Sequence, residues 1–335
     1  MKIITDPNQI NKKKWCDFVI NHPNGNVFQT PFMFEVYQKT KNYEPIIIIT
    51  VGKQTEIIGL LVGYTVKEHS GLLGNISART IVIGGPLLLN NDTKVGLKIL
   101  QQLNAFVGRK SIFTQFRNLF EISFLRNEFQ KSGYVYEDHL DIINDIAISK
   151  EEIKSNLKRS AKKNYNKAVN KGLKIKLLSE VDEIKASYEL IKETYKRVKL
   201  PYPEYQFFEN LYSILFNKGF IKFFGAFFEG TLISVRVELT YKTIIYDYFT
   251  GTSENAKNKY PNDFIPVEIF IWGHDNKYKS FDFGGAGKPN VPYGVRDYKL
   301  KFGGELVEFG RFEKIHKPIL FSVGKLGLKV WKKLR

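Results

Sequence analysis

The chain contains almost no cysteine and no long apolar run. Its single cysteine, Cys16, excludes an internal disulfide and any cysteine-based metal cluster, and it fits a reducing compartment. No uninterrupted apolar stretch reaches about 18 residues, and the N-terminus lacks the apolar segment of an export signal. We therefore expect a cytoplasmic protein that neither leaves the cell nor spans a membrane.

Histidine is also scarce, and the five histidines are scattered along the chain. Together with one cysteine they show none of the spacings that bind zinc, so no metal site is predicted. The glycine cluster at Gly284–Gly287 is not followed by the helix and downstream acid of a dinucleotide-binding βαβ unit. NAD is therefore not an expected cofactor.

Acidic residues are too few to balance the basic ones. The 335 residues include 34 Asp and Glu against 51 Lys and Arg, a formal charge of +17. Hydrophobic residues make up 43% of the chain and aromatic residues 14%, so this charge belongs to a folded body rather than a disordered tail. Such a body attracts nucleic acid, anionic lipid headgroups or phosphate-linked substrates. A lysine-rich proteome is the alternative explanation.

The length favours two domains of about 150 residues each, with a boundary near Ser149. The first half predicts an α/β unit whose elements follow one another in a clear order. They are a helix over Asp6–Asn21, a helix after Pro31, a hairpin of Pro45–Val51 and Gln54–Tyr64, a strand broken by Gly84-Gly85-Pro86, a helix over Thr93–Val107, and strands near Ile112–Phe116 and Ile142–Ile148.

The second half opens with a strongly basic helical pattern. From Lys150 to Lys176 there are ten Lys or Arg residues against two Glu. The elements then predicted are a strand over Leu173–Leu178, a helix over Val181–Lys196, three antiparallel strands between Gly219 and Thr250, a helix over Pro261–Asp275 and a short strand over Ser280–Phe283. A basic amphipathic helix over Lys317–Arg335 would lie on an anionic membrane or dock on its own domain.

The segment Phe281–Glu305, FDFGGAGKPNVPYGVRDYKLKFGGE, is the most informative part of the chain. Two glycine clusters surround a Gly-x-x-x-Tyr-Lys-x-x-Phe-Gly run. The short strand delivers Asp282 to its end, and the glycines that follow allow a backbone to approach a ligand closely. The segment therefore predicts a binding site.

Four stretches resemble the FemABX family, the aminoacyltransferases that build peptidoglycan bridges on an acetyltransferase-like (GNAT) fold. They are VFQTPFMFEVY, IGGPLLL, NLKRSAKKNYNKAVNKG and Phe281–Glu305. The resemblance implies an α/β (α+β) protein with two GNAT-like domains in tandem, residues 1–149 and 150–316, whose mixed, mostly antiparallel sheets are flanked by helices; residues 317–335 form the basic helix.

The resemblance also implies an activity. The protein would move an aminoacyl group from aminoacyl-tRNA to an amine of a peptidoglycan or lipid-linked precursor, with no bound cofactor, at the inner face of the cytoplasmic membrane. Lys299 occupies the family's lysine near the reacting groups and would stabilise the oxyanion, while Asp282 would accept a proton or orient the amine.

Further residues are predicted to bind substrate. On a strand, Lys299 and Lys301 would share one face, with Arg296 nearby, and form a cationic pocket for a diphosphate, the phosphates of coenzyme A or the acceptor stem of tRNA. In the third meander strand, alternation points Asp247 away from Tyr246 and Tyr248. The predicted substrate-binding set is Tyr37, Gly85, Pro86, Tyr248, Gly284, Gly285, Arg296, Lys301, Phe302 and Gly303.

Two departures keep other functions open. Family members that bind a nucleotide-linked muropeptide tend to have lysine where this chain has Tyr37, which favours an acyl-coenzyme A-dependent N-acyltransferase acting on an amino sugar of a surface polysaccharide precursor. The usual GNAT pyrophosphate loop is not found in the second half, which disfavours coenzyme A. The charge alone suggests a third alternative, a non-catalytic nucleic-acid-binding protein.

Overall fold

The computed structural model describes residues 1–67 and 78–324, and the chain divides into two compact units. The first unit comprises Met1–Asp138 and the chain from Phe309 onward, and the second comprises His139–Glu308. Each unit contains one mixed sheet flanked by helices, as the sequence predicts. Within the described residues, no helix combines the length and apolarity needed to cross a membrane.

The first unit is built on an eight-stranded sheet. Its helices are α1 (Lys12–Asn21), α2 (Pro31–Lys39), α3 (Thr93–Val107), α4 (Arg126–Lys131) and residues 318–324. Its strands are β1 (Lys2–Ile4), β2 (Tyr43–Val51), β3 (Ile57–Val66), β4 (Arg79–Ile83), β5 (Leu87–Leu88), β6 (Phe113–Arg117), β7 (Val135–Glu137) and β15 (Arg311–Ile315). The order is β1-β2-β3-β4-β6-β15-β7, with β5 paired to β3.

Local sequence explains the best-predicted elements of this unit. The side chain of Asp92 accepts hydrogen bonds from the backbone N–H groups of Lys94 and Val95, which caps the start of α3. Val95, Ile99 and Leu103 are fully buried on one face of that helix. Strands β2 and β3 form the predicted hairpin, and the predicted break contains a cis Gly85–Pro86 peptide between β4 and β5.

The second unit is built on a seven-stranded sheet. Its helices are α5 (Lys150–Ser155), α6 (Arg159–Asn170), α7 (Val181–Arg197), α8 (Tyr205–Leu215), α9 (Pro261–Asp275) and α10 (Gly294–Lys299). Its strands are β8 (Leu140–Asp145), β9 (Lys174–Leu178), β10 (Ile221–Phe228), β11 (Thr231–Tyr241), β12 (Ile244–Thr252), β13 (Ser280–Gly285) and β14 (Glu305–Glu308). The order is β14-β8-β13-β12-β11-β10-β9, and β12 and β13 run parallel.

The boundary of the units differs from the prediction. The strand predicted to complete the first half is β8, which pairs with β13 and β14 of the second sheet. Beyond Glu308 the chain returns to the first sheet, where β15 pairs with β6 and β7. Ser149, the predicted boundary, lies inside the second unit and caps α5 in a capping box with Glu152. Most of the predicted 317–335 helix lies outside the described residues.

Two helices of the second unit also differ from the prediction. The basic segment is broken at residues 156–158 into α5 and α6, because buried Leu157 interrupts it and the Lys158 N–H donates to the carbonyl of Lys301. Helix α8, in the segment LPYPEYQFF and beyond, was not predicted. Its buried side chains are Phe207, Phe208, Leu211 and Leu215, a helical spacing that the sequence already contained.

Helices cover both faces of the second sheet. On one face, Phe270 of α9 packs against Phe281 and Phe283 of β13. On the other face, α7 lies so close to β12 that an added Cβ at Gly251 would be 2.4 Å from the backbone nitrogen of Ile191. Backbone atoms cannot move aside as a flexible side chain can, so this contact requires glycine.

We predict that Gly251→Ala lowers the free energy of unfolding by about 2 kcal/mol or more, because overpacking forces α7 away from β12. Gly294→Ala is the matched control, since no heavy atom lies within 4 Å of its added Cβ. The control should stay within about 0.5 kcal/mol of the parent in urea denaturation. Equal losses in the two variants would contradict the close approach of α7.

Candidate functional site

The two parallel strands of the second sheet separate after a short paired region. Residues Ile244–Tyr246 of β12 pair with Ser280–Asp282 of β13, and both strands then continue without pairing to each other. We name residues 247–252 of β12 and 283–285 of β13 the strand opening. Crevices at the carboxyl ends of parallel strands are the usual ligand sites of open α/β sheets.

Lys299 lies at the strand opening. Its Nζ donates to the carbonyl oxygens of Phe283 at 2.6 Å, Gly285 at 2.9 Å and Gly284 at 3.3 Å. Burial lowers the pKa of the Lys299 ammonium, and the charge of Asp247 opposes that shift. The ammonium group thus meets the carbonyls of the last three residues of β13.

The predicted strand around Lys299 is wrong. Residues Gly294–Lys299 form α10, so Lys299 and Lys301 do not share a strand face. Arg296 donates to the carbonyl oxygens of Lys288 at 2.8 Å, Ala286 at 3.4 Å and Val291. The guanidinium therefore holds the loop between β13 and α10, and this geometry does not form the expected cationic pocket with Lys301.

Asp282 is buried at the end of the paired region. Its Oδ1 accepts a hydrogen bond of 2.7 Å from the backbone N–H of Gly284. Burial, and then the charge of Asp141 on neighbouring β8, raise the pKa of Asp282 to about 7. A carboxyl with that pKa exchanges protons near neutral pH, as a general base requires.

A buried arginine connects this site to the sheet. Arg236 of β11 is 3% exposed; its Nη1 lies 3.0 Å from Asp247 Oδ2, and its Nη2 donates to the Tyr298 hydroxyl at 3.1 Å. The Tyr298 hydroxyl in turn donates to the carbonyl of Asn262 at 2.7 Å. Pro266, four residues further along α9, has no N–H for that carbonyl, so Tyr298 supplies the missing donor.

Glu238 is the most deeply buried acid of the site. It is fully buried opposite Asp247 across β11 and β12, and its carboxyl oxygens have no hydrogen-bond partner among the described residues. Burial and the charge of Asp247 raise the pKa of Glu238 well above its usual range. Sequence reasoning missed Arg236 and Glu238. Their spacing of two within an apolar strand was the available signal.

Other predicted site residues of the second unit shape the backbone or the core. Gly284 has φ 67°, with open space where a Cβ would lie. The Tyr248 ring contacts Phe249 and Phe207, and Phe302 is 1% exposed against Phe283. An added Cβ at Gly303 would be 2.6 Å from the carbonyl oxygen of Asn156. The structure therefore brings together Asp282, Gly284, Gly285 and Lys299, and gives Phe302 and Gly303 packing positions.

The remaining predicted residues lie in the first unit. Tyr37 is buried, and its ring centroid is 4.4 Å from that of Tyr64. An added Cβ at Gly85 would be 2.9 Å from the Gln29 side chain, which donates to the carbonyls of Val62 and Ile83. Substrate contacts of Tyr37, Gly85 and Pro86 remain predictions.

Comparison with known proteins identifies the fold to which this architecture belongs. Residues 154–300 match the family model described as an acetyltransferase (GNAT) domain. The crystal structure of FemX aligns with 96% of this chain and 99% of its own at 15% identity, with a TM-score of 0.73. No curated protein matches the chain in sequence.

Two further structures have the same fold. A tandem GNAT protein from the clavulanic acid biosynthesis pathway aligns with 94% of this chain and 98% of its own at 8% identity, TM-score 0.62. L-PGS from Bacillus licheniformis aligns with 96% of each chain at 15% identity, TM-score 0.59. The protein therefore has a GNAT-type fold, and the resemblance expected from the sequence is confirmed at the level of the fold.

We predict that Tyr298→Phe destabilises the protein by about 1–2 kcal/mol, because it leaves the Asn262 carbonyl without its donor and Arg236 without one acceptor. The exposed Tyr293→Phe should change stability by less than about 0.5 kcal/mol. Urea denaturation of both variants measures the difference. Identical midpoints would show that the Tyr298 hydroxyl does not support α9.

Asp282→Asn should change how stability depends on pH. The folded state raises the pKa of Asp282 to about 7 and so binds this proton more tightly than the unfolded state. Stability therefore falls as pH rises from about 4 to about 7, by on the order of 4 kcal/mol for this group alone. The Asn variant should lack this fall, whereas the exposed Asp297→Asn should retain it. The free energy of unfolding is measured by urea titration from pH 4 to 8. If it depends on pH in the same way in wild type and Asp282→Asn, the raised pKa of Asp282 is excluded.

Proposed function

We propose that the protein is an acyltransferase that moves an aminoacyl group from aminoacyl-tRNA to an amine of a peptidoglycan or lipid-linked cell-envelope precursor. The observation that carries the proposal is the placement of Lys299 and Asp282 together where β12 and β13 separate. The GNAT domain match spans both residues, and the fold is that of FemX.

The two side chains suit the needs of amine acylation. An acceptor amine is an ammonium ion at neutral pH and must lose a proton before it attacks the ester carbonyl. Asp282, with a pKa of about 7, is suited to take that proton. The C–N bond then forms, and the negative charge that develops on the carbonyl oxygen is stabilised by the positive charge of Lys299. The ester C–O bond breaks, and the leaving ribose oxygen receives the proton held by Asp282. The new amide nitrogen then gives its second proton to the Asp282 carboxylate, which releases it to solvent.

The strand opening offers a way to position an extended substrate. Where β12 no longer pairs with β13, a peptide-like chain can add backbone hydrogen bonds as a further strand does. Such binding fixes the reacting groups in register, which contributes much of the rate in a two-substrate reaction. Gly284 and Gly285 leave the space beside this path free of side chains.

A second candidate is an acyl-coenzyme A-dependent N-acyltransferase that acts on an amino sugar. The match of residues 154–300 to an acetyltransferase domain favours it. In this candidate the same Asp282 and Lys299 act, and the amine attacks a thioester instead of an ester. In either candidate reaction, the enzyme would meet a lipid-linked acceptor at the inner face of the cytoplasmic membrane.

We predict that Lys299→Met lowers acyl transfer by about 100-fold or more, because the charge next to the oxyanion is lost. The assay measures labelled transfer from charged tRNAs, and in parallel from acetyl-coenzyme A, to a membrane extract that contains lipid-linked precursors. Lys301→Met is the matched control and should retain most activity, since Lys301 makes no contact with the β13 carbonyls in the described structure.

The donor that supports transfer decides between the candidates. Transfer from tRNA that depends on Lys299 supports the aminoacyltransferase, and transfer only from acetyl-coenzyme A supports the second candidate. Transfer from neither donor, together with retained nucleic-acid binding, would favour a non-catalytic binding protein. Full activity of Lys299→Met would show that Lys299 does not take part in the reaction.

A further inference from the structure

One face of α6 presents a row of basic and amide side chains to solvent. The side chains that are exposed and line a shallow groove along the helix are Arg159, Lys162, Lys163, Asn166, Lys167 and Asn170. We name this set the basic stripe. The opposite face, Ala161, Tyr165 and Ala168, is buried in the core of the second unit. The helix has 12 residues and is therefore about 18 Å long.

Within residues 1–67 and 78–324, no carboxylate neutralises the arginine and the first two lysines of the basic stripe. Elsewhere in the described residues, several surface lysines pair with nearby carboxylates, as in Lys13–Asp17 and Lys192–Glu189. No described carboxylate lies within ion-pair distance of Arg159, Lys162 or Lys163. The sequence explains the difference, because residues 154–176 contain nine basic side chains and no acidic one.

The stripe also carries unfavourable pairs of its own. Positive side chains one helical turn apart repel each other and destabilise a helix. Two such pairs lie within α6 at a spacing of four residues: Arg159 with Lys163, and Lys163 with Lys167. A polyanion that binds here relieves this repulsion, which indicates a ligand rather than a structural role.

The start of the basic stripe adjoins the candidate site. The N–H of Lys158 donates to the carbonyl of Lys301 at 2.9 Å, and Lys301 is two residues from Lys299. Asn164 of α6 donates to the buried Asp263 of α9 at 3.1 Å. A polyanion that lies along the stripe therefore has one end close to the strand opening.

The shape of α6 favours RNA over a membrane. A helix that binds a membrane surface inserts an exposed apolar face, whereas the apolar face of α6 is buried in its own unit. Val169 is the one large apolar side chain of α6 that is exposed, at 46%. Arginine, lysine and asparagine are among the side chains that donate to phosphate and ribose oxygens.

We propose that the basic stripe binds the sugar–phosphate backbone of an RNA, namely the acceptor arm of the aminoacyl-tRNA donor. This inference rests on the proposed function, because that function supplies an RNA whose activated end must reach Lys299. The stripe would hold the arm and direct its aminoacylated end to the strand opening. It recognises charge and ribose rather than base sequence, so it would accept tRNAs of any identity.

The test compares two triple variants that remove the same charge. Arg159→Gln/Lys162→Gln/Lys163→Gln changes the stripe, and Lys12→Gln/Lys13→Gln/Lys14→Gln changes α1, where Lys12 and Lys13 are ion-paired. Binding of deacylated, unfractionated tRNA is measured by fluorescence anisotropy over a range of salt concentrations. The stripe variant should lose at least about tenfold in affinity. The slope of log binding constant against log salt concentration should become shallower by roughly 0.7–0.9 for each phosphate contact removed. The α1 variant should bind like wild type.

The outcomes separate this inference from the proposed function. The binding assay needs no turnover, so a stripe variant that loses tRNA binding supports the stripe even if no aminoacyl transfer is found. In a transfer assay the stripe variant should raise KM for aminoacyl-tRNA several-fold with kcat nearly unchanged. Its urea midpoint should not fall, because like charges have been removed, so lost binding would not reflect unfolding.

Three results would overturn the inference. In the first, the stripe variant binds tRNA as tightly as wild type. In the second, the α1 variant loses as much affinity as the stripe variant, which would indicate general charge attraction. In the third, the stripe variant keeps tRNA binding but loses binding to vesicles of phosphatidylglycerol and phosphatidylcholine. That result would make α6 a membrane-binding surface.

Discussion

The candidate site depends on one interaction, the contact of the Lys299 ammonium with the last three carbonyls of β13. Parallel strands normally continue to pair, because unpaired backbone groups in a sheet are costly. Lys299 supplies donors to the carbonyls of 283–285 after β13 has separated from β12. The strand opening can therefore exist without leaving those carbonyls unsatisfied, and the same contact places a cation at the opening.

The charges around this contact are costly to bury. Arg236 pairs with Asp247 and lies over the Phe283 ring, and Glu238 is buried opposite Asp247. Apolar side chains of similar volume are often as stable as such buried charges, or more stable. Perturbed, desolvated groups of this kind cluster at functional sites. The link from Arg236 through Tyr298 to Asn262 also repairs the hydrogen bond that Pro266 removes from α9. Helix α10, which carries Lys299, is thus tied to both α9 and β11.

Much of the fold followed from local patterns. Helices α3 and α9 begin and end where they were predicted, because Asp92 caps one and Pro261 starts the other. The hairpin of β2 and β3 and the meander of β10, β11 and β12 were also predicted from alternation and turns. Helix α8 was not predicted, although its buried side chains have helical spacing.

Sheet membership was not predictable in the same way. Strand β8 precedes the predicted boundary but pairs with β13 and β14, which both lie more than a hundred residues later in the chain. The return of β15 to the first sheet was equally unpredictable, because its partner β6 lies far upstream in the sequence. A strand's own residues show which face is apolar, but its partner depends on chain segments that are distant in sequence.

The sequence by itself determined the elements and the chemistry that some of them carry. The glycine clusters, Asp282 and the lysine of the Tyr-Lys-x-x-Phe-Gly run were visible, because each depends on neighbouring residues. Tertiary structure decided that Lys299 belongs to a helix and contacts carbonyls 14–16 residues earlier, and that Arg236 and Glu238 lie beside it. It also decided the pKa of Asp282, because that pKa depends on burial and on a carboxylate from another strand. Desolvation and charge proximity act through space, so only the folded chain could set them.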